Sequence, residues 1–265
     1  MKRLMFGLAV AGLAATGFGD MVTSGNTVGY SGNEVAAQEW NLIGLPFVQI
    51  GDSDAVAFDK VLTMNGVEAV GYYDALDGQG AELQVRDANG FYTSYYYIND
   101  ADDGTERYDL VGWADGDGIL IDGSQKLKGG TGVWLRLAVA SGVSFTFAGQ
   151  VEDADTVTTD FANGWTIMAS PFPIKLNLSN VVTTGVEPVG YYEALEGQGA
   201  ELQVRDGKGF YTSYYYINDA DDGTECYNLT GWADGDGFLV SDDVIPMASA
   251  FWLKSNKAGT LTFSL

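Results

Sequence analysis

Apolar and polar residues alternate, or run apolar for four to nine positions, along most of this chain. The segments Ala81–Asp87 (AELQVRD), Gly90–Ile98 (GFYTSYYYI), Val133–Leu137 (VWLRL) and Val143–Phe147 (VSFTF) carry the pattern. A period of two puts successive side chains on opposite faces, as in a strand. Gly, Asp and Asn interrupt the segments at spacings of roughly 8–12 residues, which predicts an all-β sandwich or barrel. Tyr, Phe, Trp, Val and Thr fill them, and these residues suit a pleated surface. A helical period is convincing only in the first residues, with a short helical turn allowed at Asp54–Leu62.

The pattern is written twice. Gly66–Leu120 and Gly185–Leu239 are identical at 46 of 55 positions, at a constant offset of 119. The flanks correspond as well. Trp40 and Trp165 are each followed, after five intervening residues, by Pro-Phe, and a late Trp strand precedes a Gly turn and an alternating Thr-Phe strand in both copies. The expected fold is therefore all-β, with two tandem homologous β-sandwich (jelly-roll-like) domains. Residues 1–19 read as a signal peptide and 20–38 as an extended arm with a short strand at Thr27–Tyr30. Residues 39–151 form repeat 1, 152–163 an acidic, Thr-rich linker, and 164–265 repeat 2. The duplication pairs Trp40 with Trp165, Trp113 with Trp232, and Trp134 with Trp252. The high identity of the central block has two explanations: recent duplication, or a face that must be the same in both units.

Composition adds a compartment. Lys2 and Arg3 precede an apolar run, Leu4–Ala15, and small residues follow, as in a secretory leader. The run is shorter than the ~20 residues that span a bilayer. Losing Lys2 and Arg3 with the leader takes the net charge from −23 to −25. Such a charge argues against nucleic acid as a partner.

Chemistry is then narrowed by what is missing. There is no histidine, which removes Ser-His-Asp and Cys-His catalysis and the usual zinc sites. The single cysteine, Cys226, stands where the first copy has Arg107, so it reads as incidental. No pair of carboxylates stands out for glycoside hydrolysis, and the chain is expected not to be an enzyme. Two features remain. The acidic turns offer Asp100, Asp102, Asp103 and Glu106, repeated as Asp219, Asp221, Asp222 and Glu225. Oxygen ligands of this kind suit Ca2+, although the spacing is not that of an EF-hand loop, and a solvated hairpin turn has the same composition. The aromatic strand puts Tyr92, Ser94 and Tyr96 on one face, and Phe91, Thr93, Tyr95 and Tyr97 on the other. One face suits the core. The other, with Tyr92, Tyr96, Tyr211 and Tyr215, suits stacking on sugar rings or packing on another subunit, unless both faces are buried. Arg86 and Arg205 are rare cations here, and read as partners of nearby carboxylates or as a grip on a ligand or neighbour.

Several short motifs occur together: Asn26–Tyr30 (NTVGY), Trp40–Phe47, Gly112-Trp113 and Gly231-Trp232, Val133–Leu135 and Phe251–Leu253. With the leader, they resemble a group of secreted β-rich proteins of Verrucomicrobia- and Lentisphaerae-type bacteria. The resemblance implies secretion and β-architecture, and no chemistry. The leading functional expectation is a secreted, self-assembling subunit of an extracellular filament or surface layer. Its copies would join head to tail, with the arm (Val22, Thr27, Val28, Tyr30) pairing with an open strand edge at the end of the preceding copy; the competing picture is that the arm folds back on its own first unit. The alternative is a carbohydrate-binding or adhesive module built on the aromatic strands.

Overall fold

A computed structural model describes residues 28–34, 39–47, 55–57, 59, 62–87, 89–105, 109–121, 126–128, 130–138, 144–151, 154–206, 208–224 and 227–265. The all-β class holds. In the first unit β1 (Val28–Glu34), β10 (Ser144–Gln150) and β4 (Leu62–Asn65) make a three-stranded sheet in the order β1-β10-β4. A five-stranded sheet follows the order β2-β9-β5-β6-β7. Its strands are β2 (Trp40–Gly44), β9 (Gly132–Ala138), β5 (Gly80–Arg86), β6 (Tyr92–Ala101) and β7 (Leu110–Ala114). A two-stranded ribbon joins β3 (Ala55–Ala57) to β8 (Lys126–Lys128). Ala55–Ala57 is thus strand at the start of the stretch where a helical turn was allowed, while Asp59 in the same stretch is helical.

The second unit repeats this plan. Its three-stranded sheet runs β11 (Thr156–Phe161), β20 (Gly259–Ser264), β14 (Val181–Thr184). Its five-stranded sheet runs β12 (Gly164–Ala169), β19 (Ala250–Ser255), β15 (Ala200–Arg205), β16 (Tyr211–Asp221), β17 (Tyr227–Ala233). Its ribbon joins β13 (Leu176–Asn177) to β18 (Asp243–Ile245). The Trp pairs fall in equivalent places: Trp40 faces Arg136 as Trp165 faces Lys254, and Trp134 lies between Leu42 and Gln84 as Trp252 lies between Ile167 and Gln203.

In each unit one core lies between the five- and three-stranded sheets. Leu83, Leu135, Leu137 and Phe147 are fully buried in the first, and Leu202, Leu253, Leu261 and Phe263 in the second. Burying each such side chain contributes about 1.5–3 kcal/mol. Tyr95 and Tyr97 belong to this core, and Tyr97 packs on Trp113 at 5.6 Å. Phe91 does not, although its parity would place it there. It precedes β6 in a turn and is 74% exposed.

Two expectations are corrected here. The stretch 152–163 was to be a linker, yet Thr156–Phe161 is strand β11, hydrogen-bonded along β20. The arm was to join another copy, with folding back on its own unit as the competing picture, and the structure has the second. The described part of the arm, Val28–Glu34, is β1 and pairs with β10 of its own unit, from Val28↔Gln150 to Glu34↔Ser144. Val28 and Tyr30 therefore sit in the same sheet position that β11 takes in the second unit. The edge of β20 that the arm was to fill is closed on one side by β11 and on the other by β14. Unpaired backbone groups are costly, so each unit satisfies its outer strand with the segment that precedes it. The leader, Val22, Thr27 and Cys226 lie outside the described residues. No helix among the described residues is long and apolar enough to cross a membrane.

Candidate binding groove between the two units

Strand alternation leaves one face of each five-stranded sheet turned away from the core. In the first unit that face carries Trp40, Arg136, Glu82 and Tyr96 in one cross-strand row, and Leu42, Trp134, Gln84 and Ser94 in the next. The second unit matches it with Trp165, Lys254, Glu201 and Tyr215, then Ile167, Trp252, Gln203 and Ser213. These two faces meet at the corners formed by β2–β9 and β12–β19. Leu42, Ile167, Ala169 and Ala250 are buried together there, with Trp134 and Trp252 packed against them and the two indole rings 6.5 Å apart.

The contact is reciprocal, as in an isologous dimer made within one chain. Gly44 donates its backbone N–H to Ala248 O at 2.9 Å, and Ala169 donates to Gly130 O at 2.7 Å. Arg86 Nη1 donates to Trp165 O, while Arg205 Nη1 donates to Trp40 O at 3.0 Å. Arg86 also lies over the Trp252 ring at 5.6 Å. The two arginines thus reach the backbone of the opposite unit. Of the two, and among the described residues, only Arg205 makes an ion pair, with Glu39 at 3.9 Å and well exposed.

A short turn aims each arginine. Asp87 accepts the amides of Asn89 and Phe91 at 2.9 and 2.8 Å, and Asp206 accepts those of Lys208 and Phe210. Gly90 closes the turn at φ +90, where a Cβ would come 2.8 Å from Arg86 Nη2, so only glycine fits. The Phe91 and Phe210 amides are the main cause that holds both carboxyls below the usual aspartate value. A lowered pKa contributes stability that is present above the ordinary aspartate value of about 4 and is lost as pH falls through the folded value. With no histidine in the chain, the melting temperature is expected to be flat from pH 5 to 8 and to fall below about pH 4. Circular dichroism melts across that range check it.

Between the units, Arg86, Gly90, Tyr92, Trp165, Gln203, Tyr211 and Trp252 line an open cleft of about 420 Å³. Tyr92 and Tyr211, equivalent residues of the two copies, are 44% and 42% exposed. The other two aromatics expected at the site are placed elsewhere. Tyr96 packs with Ala75 and Ile98 beside α1 (Tyr72–Leu76), and Tyr215 packs with Ala194 and Ile217 beside α2 (Tyr191–Leu195).

Beside the cleft is a polar network. Glu82 is nearly buried and accepts from Arg136 Nη2 at 2.7 Å, Gln84 Nε2 at 2.9 Å and Ser94 Oγ at 2.9 Å. Glu201 holds Gln203 and Ser213 in the same way at 2.8 Å, but its cation, Lys254, stands off at 3.9 Å. Arg136 lies over Trp40 and Lys254 over Trp165. Removing one partner of a buried pair strands the other. Glu82→Ala is therefore expected to destabilise the chain by about 3 kcal/mol, against about 1 kcal/mol for the more loosely paired Glu201→Ala. Urea melts of the two variants would show equal losses if the network were merely decorative.

The acidic turns use their carboxylates locally. Asp100 and Asp219 accept the first helical amides, of Tyr72 at 2.7 Å and Tyr191 at 2.8 Å. Asp102, Asp103, Asp221 and Asp222 each accept an amide two residues on, from Gly104, Thr105, Gly223 and Thr224. Among the described residues no three acidic side chains converge on one point. Glu106 and Glu225 lie outside the described residues.

Sequence reasoning singled out Tyr92 and Tyr211 but treated the Trp residues as landmarks only. Their signal was present: in VWLRL and FWLKS the Trp and the cation share the face opposite the core leucines. Comparison with protein-family models, curated proteins and solved structures found no match.

Proposed function

We propose that this chain is a secreted, non-enzymatic module that binds carbohydrate in the groove between its two units. One observation carries the reading: Tyr92 and Tyr211, identical residues from separate copies, stand exposed in one cleft with Trp165 and Trp252. Sugar rings present C–H faces that pack on indole and phenol rings, and hydroxyls that need fixed polar partners. Gln203 stands in the cleft and Gln84 in the matching place on the other unit. Both amides are held in place by glutamates, Glu82 and Glu201. The leader-like first residues and the resemblance to secreted β-rich proteins support a location outside the cell. The near-identity of the repeats supports a role for the repeated block in building both walls of one groove.

The test is affinity electrophoresis of the full chain, without its leader, through gels holding a panel of soluble polysaccharides. Retardation by at least one glycan, reversed by its free oligosaccharide, is the expected result. Unchanged mobility with every glycan would overturn the reading. The same gels, run without glycan beside size standards, would show a ladder of oligomers if self-assembly were the main activity instead.

A further inference from the structure

We infer that the groove selects an acidic saccharide, taking one carboxylate of the ligand on Arg86. This rests on the carbohydrate reading above and narrows it. The contact between the units is reciprocal, yet its two arginines are not equivalent: Arg86 lines the cleft and Arg205 is not among the lining residues. Arg205 has Glu39 beside it, whereas the residue that precedes Trp165, in the matching place, is Gly164. Among the described residues Arg86 makes no ion pair. Its partners are the carbonyl of Trp165 and the ring of Trp252. Asp87 gives its oxygens to turn amides, and Asp160 lines a second cavity that Arg86 also borders.

A half-buried guanidinium that makes no ion pair among the described residues keeps donors to spare. Five N–H groups are available, one is used on Trp165 O, and the planar fork matches a carboxylate. The overall charge of −23 does not prevent this, because screening at physiological salt confines exposed charges to about 8 Å. Among the described residues that line the cleft, Arg86 is the one charged side chain. The inequivalence also gives direction. A chain of sugars has two different ends, and a cleft with Arg86 but not Arg205 in its lining binds it one way round.

The probe is a pair of ligands that differ only in charge: an oligogalacturonate and its fully methyl-esterified form, titrated by calorimetry into the leaderless chain. The acid is expected to bind at least tenfold more tightly at about 0.15 M salt, with the gap closing as NaCl rises toward about 1 M. Arg86→Gln is expected to remove the preference and to leave binding of the ester in place, while Arg86→Lys keeps part of the preference. Arg205→Gln should change the ratio by less than Arg86→Gln. A melting curve for each variant confirms that the units still fold. Equal affinity for acid and ester, or a preference that survives Arg86→Gln, overturns the inference while leaving the groove as a glycan site. A preference for a sulfated glycan over both also overturns it, since the anion would then not be a carboxylate. Absence of binding by the acid, the ester and every glycan of the panel overturns the carbohydrate reading with it.

Discussion

Trp252→Ala is expected to weaken glycan binding about 30-fold, which corresponds to about 2 kcal/mol and to the loss of a central aromatic anchor. Trp252 is the most connected ring of the groove. It stacks edge-on to Trp165 at 6.0 Å, meets Trp134 at 6.5 Å, lies beneath Arg86 and lines the cleft itself. Removing it takes away a sugar platform and frees Arg86 at the same time. Trp113→Phe serves as the control, since Trp113 is core in its own unit and far from the groove in the sheet order. That change is expected to lower stability and leave affinity within twofold. If Trp252→Ala kept full affinity while Trp113→Phe reduced it, the cleft would not be the binding site.

Gly132→Val is expected to separate the two units. A Cβ at Gly132 would stand 2.4 Å from the Ala250 Cβ and 2.5 Å from a methyl of Ile167, and at Gly44 it would stand 2.6 Å from the Ala169 Cβ. No real Cβ contact is that close, and the neighbours are packed backbone and small side chains with little room to yield. Overpacking of this kind costs about 1–3 kcal/mol. The cost falls on the contact between units and spares each core, because Gly132 lies on the face away from Leu135 and Leu137. Calorimetry should then resolve two transitions where the parent shows one, and glycan retention should fall with the loss of the shared groove. A single transition at the parent temperature would mean that the small residues at the corner are incidental. Gly132→Ala, with one methyl instead of three carbons, should give a smaller shift of the same sign.

Much of the architecture was legible in the chain because it depends on local rules. Alternation in AELQVRD and VWLRL gives strands whatever surrounds them, and the offset of 119 makes one unit the template of the other. The turns at Asp87 and Asp206 follow from Asp-x-x-Gly chemistry. The two five-residue helices were missed. Each is about one and a half turns long and too short to show a period, and each is held by a carboxylate from 28 residues away, Asp100 or Asp219.

What the sequence by itself determined is that there are two like units, each with strands that alternate between a core face and an aromatic, polar face. It could not decide what covers that second face. Parity puts Tyr92 and Tyr96 together, but the fold places α1 over one and leaves the other in the cleft. Nor could it show that Arg86 and Arg205 cross to the opposite unit, over 79 and 165 residues. The arm is the sharpest case. An unpaired strand edge and a spare strand predict pairing, yet the choice between a neighbour's edge and its own is a matter of distance in space. Tertiary structure resolves it toward the near edge, because the strand and its partner are already tethered in one chain and closing that loop costs far less than bringing in a second molecule.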